Sequence, residues 1–392
     1  MSLRKQTSSH PGPLAGVRVV EFGGIGPAPF ATMLLADLGA DVVRIDRVAD
    51  LTDVEDDGRS VVNRGKRSLV LDLKNPRGIE IALGLIEQAD VVVECFRPGV
   101  TERLGLGPES ALARNPRIVY GRMTGWGQHG PKAHTAGHDL GYIAGTGLLH
   151  AIGGAGAPSV PLNLLGDYAG GAMYLVTGVL AALHHVTQTG TGQVVDAAIS
   201  DGTAHLGTLI YGMLAAGGWR DERAANLLDG GAPFYDVYQT ADGGHLTVAP
   251  IEPKFYAEFA RLAELPEDRP AQHDRDRWDE LREVIAQRIK ARTLAEWTEV
   301  FSGTDACVEP VLSLREAFDD EHANARQAFI EMDGVIQPAP SPRFSVTPGH
   351  VHRSAPMAGA DTAEVLEEWG VGPAAEALES GAAYQREGVN AG

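Results

Sequence analysis

Three short segments place ionisable side chains where the packing of a folded core does not require them. They are Ala136-Gly137-His138-Asp139, Leu165-Gly166-Asp167-Tyr168-Ala169-Gly170-Gly171 and Pro250-Ile251-Glu252-Pro253. An imidazole and carboxylates held around one substrate atom are groups that proteins use for general acid and base catalysis. Each residue also has a structural interpretation: His138 as a hydrogen-bonded loop histidine, Asp167 as a helix-capping carboxylate and Glu252 as an exposed turn carboxylate.

Two further chemistries follow from the same segments. The small residues after Asp167 leave the start of a predicted helix open, so the backbone amides of Gly166–Gly170 are candidates for stabilising an oxyanion. His134, His138 and Asp139 suggest a metal site by their proximity in sequence. No further ligand stands at a suitable spacing, and the segment is not a clear helix, so we predict that no metal is bound.

A short glycine motif, Gly24-Ile25-Gly26, stands between a predicted strand and a predicted helix, and Asp46 follows 22 residues later. This arrangement resembles part of a dinucleotide-binding fingerprint. Pro29 occupies the position of the third glycine, and Pro27 removes an amide that a pyrophosphate would need. The alternative interpretation is a tight turn from strand to helix.

Basic residues gather near the predicted ends of several strands. Ligands bind at the carboxyl ends of parallel strands, and guanidinium groups pair with phosphate oxygens, so these residues suit a ligand with more than one phosphate. A solvated charged rim is the alternative for each of them. The candidates are Arg44, Arg47, Arg64, Lys66, Arg67 and Arg97.

The elements that must position these residues alternate between β-branched runs and helical periods, which predicts a parallel sheet covered by helices. Helices are predicted over Gly78–Gln88 and from about Asp167. The predicted strands are Val17–Phe22, Asp41–Ile45, Ser68–Leu73, Asp90–Phe96, a strand near Arg117–Arg122, and Gln193–Ile199.

A second, smaller α+β domain is predicted from the segment Phe234–Pro250, which has the pattern of a hairpin, and from the amphipathic helices that follow it. The proline-rich stretch Gln337–Pro348 is predicted to return the chain to the first domain. From Asp361 we expect a helix followed by a frayed tail. The predicted boundaries are a disordered extension over 1–13, a large domain over 14–225 and 335–392, and a small domain over 226–334.

Composition limits the classes of function. The chain has 392 residues with 33 basic and 52 acidic side chains, a net charge of -19, which argues against a broad surface for nucleic acid or for an anionic membrane. Cys95 and Cys307 are too few for a disulfide framework, and the N-terminus lacks the apolar core of a signal peptide, so we expect a cytoplasmic protein. The apolar run Tyr174–Leu183 is too short to span a bilayer, which predicts a buried helix.

Several longer motifs resemble family III CoA-transferases. They include Leu38-Gly39-Ala40-Asp41-Val42-Val43-Arg44-Ile45-Asp46-Arg47, Asn63-Arg64-Gly65-Lys66-Arg67-Ser68, Phe96-Arg97-Pro98-Gly99-Val100 and Thr124-Gly125-Trp126-Gly127. Within that family, the segments around His138, Asp167 and Glu252, together with Gly230-Gly231-Ala232-Pro233-Phe234-Tyr235 and Gly303-Thr304-Asp305-Ala306-Cys307, resemble the α-methylacyl-CoA racemase branch. The resemblance runs from Leu14 to about Gly349.

The resemblance implies an interlocked homodimer whose large, CoA-binding domain has a Rossmann-like parallel sheet. It also implies an active site shared with the small domain of the other subunit. The substrate is then an acyl-CoA thioester, CoA is part of the substrate, and no cofactor is required. By the family pattern His138 and Asp167 are the acid and base, Glu252 pairs with the histidine, and Asp139 supports the site.

Three functions remain open from these residues. A racemase would interconvert (R)- and (S)-2-methylacyl-CoA through an enolate, with a base on one face and an acid on the other. A family III CoA-transferase would use Asp167 as a nucleophile that becomes an aspartyl-CoA thioester. A non-catalytic acyl-CoA-binding protein would have no use for His138 and Asp167 together. His138, Asp139 and Glu252 favour the racemase, because a transferase needs no second base.

Overall fold

The computed structural model describes residues 12–52 and 60–386. The extension predicted over 1–13 therefore lies outside the described residues except for its last two. The strands are β1 Arg18–Phe22, β2 Asp41–Asp46, β3 Lys66–Leu71, β4 Val91–Glu94, β5 Val119–Thr124, β6 Gln193–Ala198, β7 Asp236–Gln239, β8 His245–Val248, β9 Val308–Pro310, β10 Phe329–Met332, β11 Val335–Pro338 and β12 Ala383–Tyr384.

Helices connect most of these strands. A π-helical segment, Leu164–Ala172, leads directly into the α-helix that begins at Met173. The α-helices are α1 Pro27–Asp37, α2 Pro76–Gln88, α3 Val100–Arg103, α4 Pro108–Arg114, α5 Asp139–Ala144, α6 Leu148–Ala151, α7 Met173–Thr189, α8 Ile199–Leu206, α9 Thr208–Ala215, α10 Pro253–Leu262, α11 Trp278–Ile289, α12 Leu294–Phe301, α13 Glu321–Ala325, α14 Thr362–Glu368 and α15 Ala374–Glu379. Short 3₁₀ turns cover Val48–Thr52, Val61–Asn63, Arg275–Arg277 and Glu316–Phe318.

The chain forms two compact units. The first contains the described residues up to Thr146, Leu162–Leu206 and the described residues from Ala325 onward, and the second contains Gly147–Pro161 and Gly207–Asn324. The second unit thus begins and ends earlier than the predicted 226–334. It also takes in Gly147–Pro161, because the Arg223 guanidinium donates hydrogen bonds to the carbonyl oxygens of Gly154 and Gly156.

The first unit is built on a seven-stranded sheet in the order β12-β3-β2-β1-β4-β5-β6. All pairs are parallel except β12 with β3. The predicted parallel sheet is confirmed. Because the chain runs outward from β1 in one direction and from β4 in the other, the strand order reverses between these two strands. In open α/β sheets the crevice at this reversal is where ligands bind.

Alternating side chains bury both faces of this sheet, as expected where helices cover each side. Val20 and Phe22 of β1 pack towards α2, α14 and α15, whereas Val19 packs towards α1 and α7. The predicted α2 begins at Pro76, where the side chain of Asn75 accepts a hydrogen bond from the Arg77 amide, a standard N-cap.

The long apolar helical stretch Leu164–Thr189 has 26 residues, which is enough to cross a membrane by length and composition alone. The stretch is longer than the apolar run Tyr174–Leu183 for which a buried helix is predicted. It packs through Leu175, Val179 and Ala182 on the core of the sheet, so in this structure it acts as a core helix.

The C-terminal segment differs from its prediction. After α14 the chain forms α15 and then β12, whose Ala383 and Tyr384 pair with Leu71 and Val70 of β3. The Thr362 hydroxyl also donates to the Tyr384 carbonyl oxygen at 2.7 Å. The prediction of a frayed tail is therefore wrong up to residue 386. Pairing with the edge strand β3 orders β12, which is too short to show a periodic sequence pattern.

The second unit contains a three-stranded antiparallel sheet, β7-β8-β9, covered by α10, α11 and α12. The predicted hairpin is confirmed as β7 and β8, with Asp236 paired to Val248 and Gln239 to His245. Phe259 and Trp297 are fully buried in its core. A capping box at Thr293 and Glu296 begins α12. The unit is the small α+β body that the sequence predicts.

Candidate active site

The candidate site lies where the order of the sheet reverses, at the carboxyl ends of β1 and β4. The Gly24-Ile25-Gly26 loop follows β1, and Gly26 has a left-handed φ of 77° immediately before Pro27 begins α1. The motif is therefore a tight turn from strand to helix, which was the structural alternative. A Cβ atom on Gly26 would lie 3.4 Å from Oδ2 of Asp167, so this carboxylate faces the loop.

The π segment carries Asp167 and begins at Leu164, earlier than the predicted helix start near Asp167. Its glycines allow unusually close packing. A Cβ on Gly166 would lie 2.2 Å from Oδ1 of Asp139, and a Cβ on Gly202 of α8 would lie 1.8 Å from the Gly170 carbonyl oxygen. Only glycine fits at these positions, and the absence of side chains brings the π segment against α5 and α8.

Asp139 meets Asp167 through a hydrogen bond to the Asp167 backbone, and the charge of the adjacent His138 also acts on Asp167. The Asp167 amide donates to Oδ1 of Asp139 at 2.6 Å. His138 is the N-cap residue of α5, and its exposed side chain makes no capping bond. The structure thus brings three predicted catalytic residues into one cluster. It also corrects one expectation, because the Asp167 amide is engaged by Asp139 and is not free for an oxyanion.

The surroundings of the two carboxyls raise the pKa of both. Burial raises the pKa of Asp167, and the neighbouring Asp139 carboxylate raises it further, while a hydrogen bond from Asn163 and the charge of His138 act in the opposite direction. Burial also raises the pKa of Asp139. A carboxyl whose pKa is moved upward is suited to exchange a proton with a substrate near neutral pH.

An aromatic residue that is not among the predicted site residues, Tyr142, belongs to the same cluster. The Tyr142 hydroxyl donates to the carbonyl oxygen of Gly137 at 2.5 Å, and burial together with the charge of Asp167 raises its pKa. Tyr142 follows His138 by four residues, the spacing that places two side chains on one helix face. This four-residue spacing is the feature of the sequence that could have identified Tyr142 as a site residue.

Four of the six predicted phosphate-binding cations have largely buried side chains that form ion pairs within the fold. Arg64 pairs with Asp37 at 2.6 Å, Lys66 with Glu21 at 2.8 Å, Arg44 with Asp46 at 2.8 Å and Arg67 with Asp41 at 2.6 Å. Lys66 is fully buried and also donates to the Pro29 carbonyl oxygen and to the Asn63 side chain. These pairs account for the four cations without a ligand, so they do not support the predicted phosphate contacts.

Arg47 and Arg97 are the predicted cations that remain exposed. Arg47 follows β2 and pairs with Asp50 at 2.7 Å while its side chain stays 78% exposed. Arg97 follows β4, and its charge acts on the Tyr142 hydroxyl, which places it beside the Asp167 cluster. Both stand near carboxyl ends of parallel strands, where the sheet exposes positive charge to a ligand.

Glu252 lies in the second unit. It is the exposed N-cap residue of α10 and precedes Pro253. Its charge, after the effect of burial, raises the pKa of Cys307. Because Glu252 is on the second unit, its predicted pairing with His138 remains a prediction. Among the described residues, no group of three or more His, Cys, Asp or Glu side chains has an arrangement that could hold a metal ion.

Comparison with known proteins gives one consistent result. Residues 14–362 match the model of CoA-transferase family III. The chain is 44% identical over 361 residues to the human protein named alpha-methylacyl-CoA racemase, covering 91% of this chain and 93% of that protein. It is 30% identical over 390 residues to the succinyl-CoA–L-malate CoA-transferase beta subunit of Chloroflexus aurantiacus, covering 91% and 94%. A CaiB/BaiF family protein from Brucella suis superposes with a TM-score of 0.78 at 26% identity, covering 92% of this chain and 100% of that one.

Proposed function

The chain belongs to CoA-transferase family III, and from that membership we propose that it is a racemase of 2-methylacyl-CoA thioesters. The observation that carries the proposal is the pairing of Asp167 with the His138-Asp139 segment at the reversal point of the sheet. Two proton-transfer groups on separate elements, the π segment and the start of α5, are what inversion at a carbon requires.

The reaction needs a base and an acid on opposite faces of the α-carbon. One of His138 and Asp167 takes the α-proton, the electron pair of the broken C–H bond passes to the thioester oxygen as an enolate, and the other group returns a proton from the opposite side. The raised pKa of Asp167 suits it to hold a proton for this step. Each proton-transfer group of this kind contributes about 10²- to 10⁴-fold in rate.

Asp139 has a supporting role in this mechanism. Its carboxylate fixes the Asp167 backbone through the 2.6 Å hydrogen bond, and its negative charge helps to keep the pKa of Asp167 high. We propose that Glu252, supplied by a second copy of the chain, orients His138 and favours its charged form, as an orienting carboxylate does. CoA is part of the substrate, and the proposed chemistry requires no added cofactor.

The two exposed cations are the best candidates for the phosphates of CoA. Arg97 lies beside the Asp167 cluster, and Arg47 lies at the end of β2. Guanidinium groups at these positions would hold the phosphate-rich part of the substrate at the rim of the sheet while the thioester reaches the acid and base.

A homodimer is supported by the surface of α9. Its sequence, Thr-Leu-Ile-Tyr-Gly-Met-Leu-Ala, contains no buried residue, and Leu209 is 63% exposed. A soluble surface helix normally has one polar face, and an apolar helix left exposed marks a protein contact. We propose that a second copy covers α9 in an interlocked dimer.

CoA transfer is the second candidate, because relatives named as CoA-transferases match nearly the whole chain. In that reaction the ionised Asp167 attacks the thioester carbonyl of an acyl-CoA and expels CoA thiolate, which gives a mixed anhydride. The thiolate then attacks the aspartyl carbonyl, the first carboxylic acid leaves as carboxylate, and an aspartyl-CoA thioester remains. This reaction gives no task to His138, which the racemase reaction uses.

A deuterium-exchange experiment distinguishes the two reactions. A single enantiomer of a 2-methylacyl-CoA is incubated with the enzyme in D₂O without any carboxylic acid, and deuterium at the α-carbon is followed with the enantiomer ratio. We expect exchange with racemisation, and we expect His138→Ala and Asp167→Ala each to reduce the rate of racemisation by at least about 100-fold. Absence of exchange, with transfer of CoA to an added acid, would favour the transferase.

A further inference from the structure

Resting on the proposed function, we infer that Tyr142 is a positioning residue that holds the backbone of His138 in the geometry needed for proton transfer. The carbonyl oxygens of Gly137 and His138 flank the His138 Cα atom, and both accept hydrogen bonds from this part of α5. The Tyr142 hydroxyl donates to the Gly137 carbonyl oxygen at 2.5 Å, and the amides of Gly141 and Tyr142 donate to the His138 carbonyl oxygen at 2.8 and 3.1 Å. The peptide before His138 is therefore fixed by the phenol, and the peptide after it by the helix.

The Tyr142 ring is itself confined on several sides. A Cβ on Gly125 would lie 2.1 Å from the ring and a Cβ on Gly137 would lie 2.5 Å from it, so both positions must be glycine for the ring to fit. The edge of Trp126 meets the ring at a centroid distance of 4.9 Å and an angle of 88°. A ring packed in this way has little freedom, and its hydroxyl stays directed at the Gly137 carbonyl.

The charges around the hydroxyl keep it a donor. Burial and the charge of Asp167 raise the pKa of Tyr142, while Arg97 acts in the opposite direction. A phenol with a raised pKa keeps its proton at physiological pH, and that proton is committed to the Gly137 carbonyl. Tyr142 therefore positions His138 without exchanging protons with the substrate.

Loss of the hydrogen bond between Tyr142 and Gly137 is expected to lower the rate of catalysis more than the affinity for substrate. A catalytic group displaced by about 1 Å can lose about 100-fold in rate, whereas remote binding contacts are unchanged. In Tyr142→Phe the ring stays in its glycine-lined site and only the hydroxyl is removed. We expect kcat to fall about fivefold with little change in KM, because one hydrogen bond of about 1 kcal/mol is lost from a group used only in the reaction.

The test compares the two enantiomers. The exchange of each pure enantiomer with D₂O is measured for the wild type, Tyr142→Phe, His138→Ala and Asp167→Ala. We expect Tyr142→Phe to slow the same enantiomer that His138→Ala slows and to leave the other near the wild-type rate. Tyr120→Phe is the matched control, because it removes a phenol-to-carbonyl hydrogen bond of 2.9 Å to Leu106 on the same unit. Equal slowing of both enantiomers, or slowing of the one that Asp167→Ala affects, overturns the inference.

A second measurement does not depend on racemase activity. The imidazole signals of isotope-labelled histidine are recorded by NMR and assigned to His138 with His138→Ala. We expect the His138 signal to shift or broaden in Tyr142→Phe and to stay unchanged in Tyr120→Phe. An unchanged His138 signal in Tyr142→Phe overturns the inference even if the enzyme racemises its substrate. A wild type without exchange, but with the expected NMR change, overturns the proposed function alone.

Discussion

The environment that raises the pKa of Asp167 for proton transfer also lowers the stability of the folded protein above that pKa. Its carboxyl lies partly buried beside Asp139, and both burial and the like charge raise its pKa. The folded protein therefore binds the Asp167 proton more tightly than the unfolded chain does. Between the two pKa values the folded state holds more protons, so stability falls as the pH rises through this range and stays reduced above it.

We therefore expect Asp167→Asn to raise the melting temperature at pH 7 while abolishing activity. The amide has nearly the shape of the carboxyl and carries no charge, so it removes the repulsion from Asp139. The gain should shrink as the pH falls towards and below the ordinary aspartate value of 3.8, because wild-type Asp167 is protonated in both states only below that value. Thermal unfolding of both proteins from acid to neutral pH tests this.

Asp268→Asn is the control for that series, because Asp268 is an exposed aspartate of the second unit. Its melting temperature should follow the wild type at every pH. A melting temperature of Asp167→Asn that is lower than the wild type at pH 7, or a gain that does not depend on pH, would contradict the electrostatic explanation.

At the scale of elements, the position of Asp167 depends on how closely the π segment meets α8. The Gly202 Cα faces the Gly170 carbonyl, and a methyl group there would lie 1.8 Å from the oxygen. Gly202→Ala must separate the two elements. We expect a loss of about 1–3 kcal/mol in the free energy of unfolding, the usual cost of overpacking, and a larger loss of exchange activity than of substrate affinity.

Urea unfolding and α-proton exchange measure both effects. Gly84→Ala is the matched control, because Gly84 lies inside α2 and a Cβ there would make only ordinary contact, 3.4 Å from Val371. An alanine in that helix should be neutral or stabilising by up to about 1 kcal/mol. If Gly202→Ala retains full stability and activity, the close approach does not position Asp167.

The same scale explains which parts of the fold could be predicted. Strands β1 to β6 have β-branched runs flanked by glycine or by helical periods, and the structure has all of them within a few residues of their predicted ends. β12 has two residues in a Gly- and Ala-rich segment, so its order comes only from pairing with β3. The π segment Leu164–Ala172 packs closely against the distant Asp139 and Thr203, and no local pattern reveals these contacts.

The candidate site was predictable in part for a related reason. His138, Asp139 and Asp167 stand out in sequence because polar residues among glycines have no packing role, and the fold brings them together. Arg64 and Lys66 also stand near strand ends, but their partners Asp37 and Glu21 are distant in sequence. A buried ion pair and an exposed phosphate ligand have the same residue types, so only the three-dimensional contacts distinguish them.

At the scale of the whole molecule, the proposed residues are divided between two units. His138 and Asp167 belong to the first, and Glu252 belongs to the second. In the proposed interlocked dimer each site takes its acid and base from one copy and Glu252 from the other. This division leads to a complementation experiment that does not depend on the detailed geometry of either unit.

His138→Ala and Glu252→Ala are co-expressed with different affinity tags, and mixed dimers are isolated by two successive purifications. In a shared site, one of the two sites of each mixed dimer has both native residues, so we expect about half of the wild-type activity although each parent is inactive. The pair His138→Ala with Asp167→Ala is the control and should stay inactive, because both residues come from the same copy. If mixed dimers of the first pair remain inactive, Glu252 lies outside a shared site. A chain that purifies as a monomer would exclude the arrangement, because α9 would then have no second copy to cover its apolar surface.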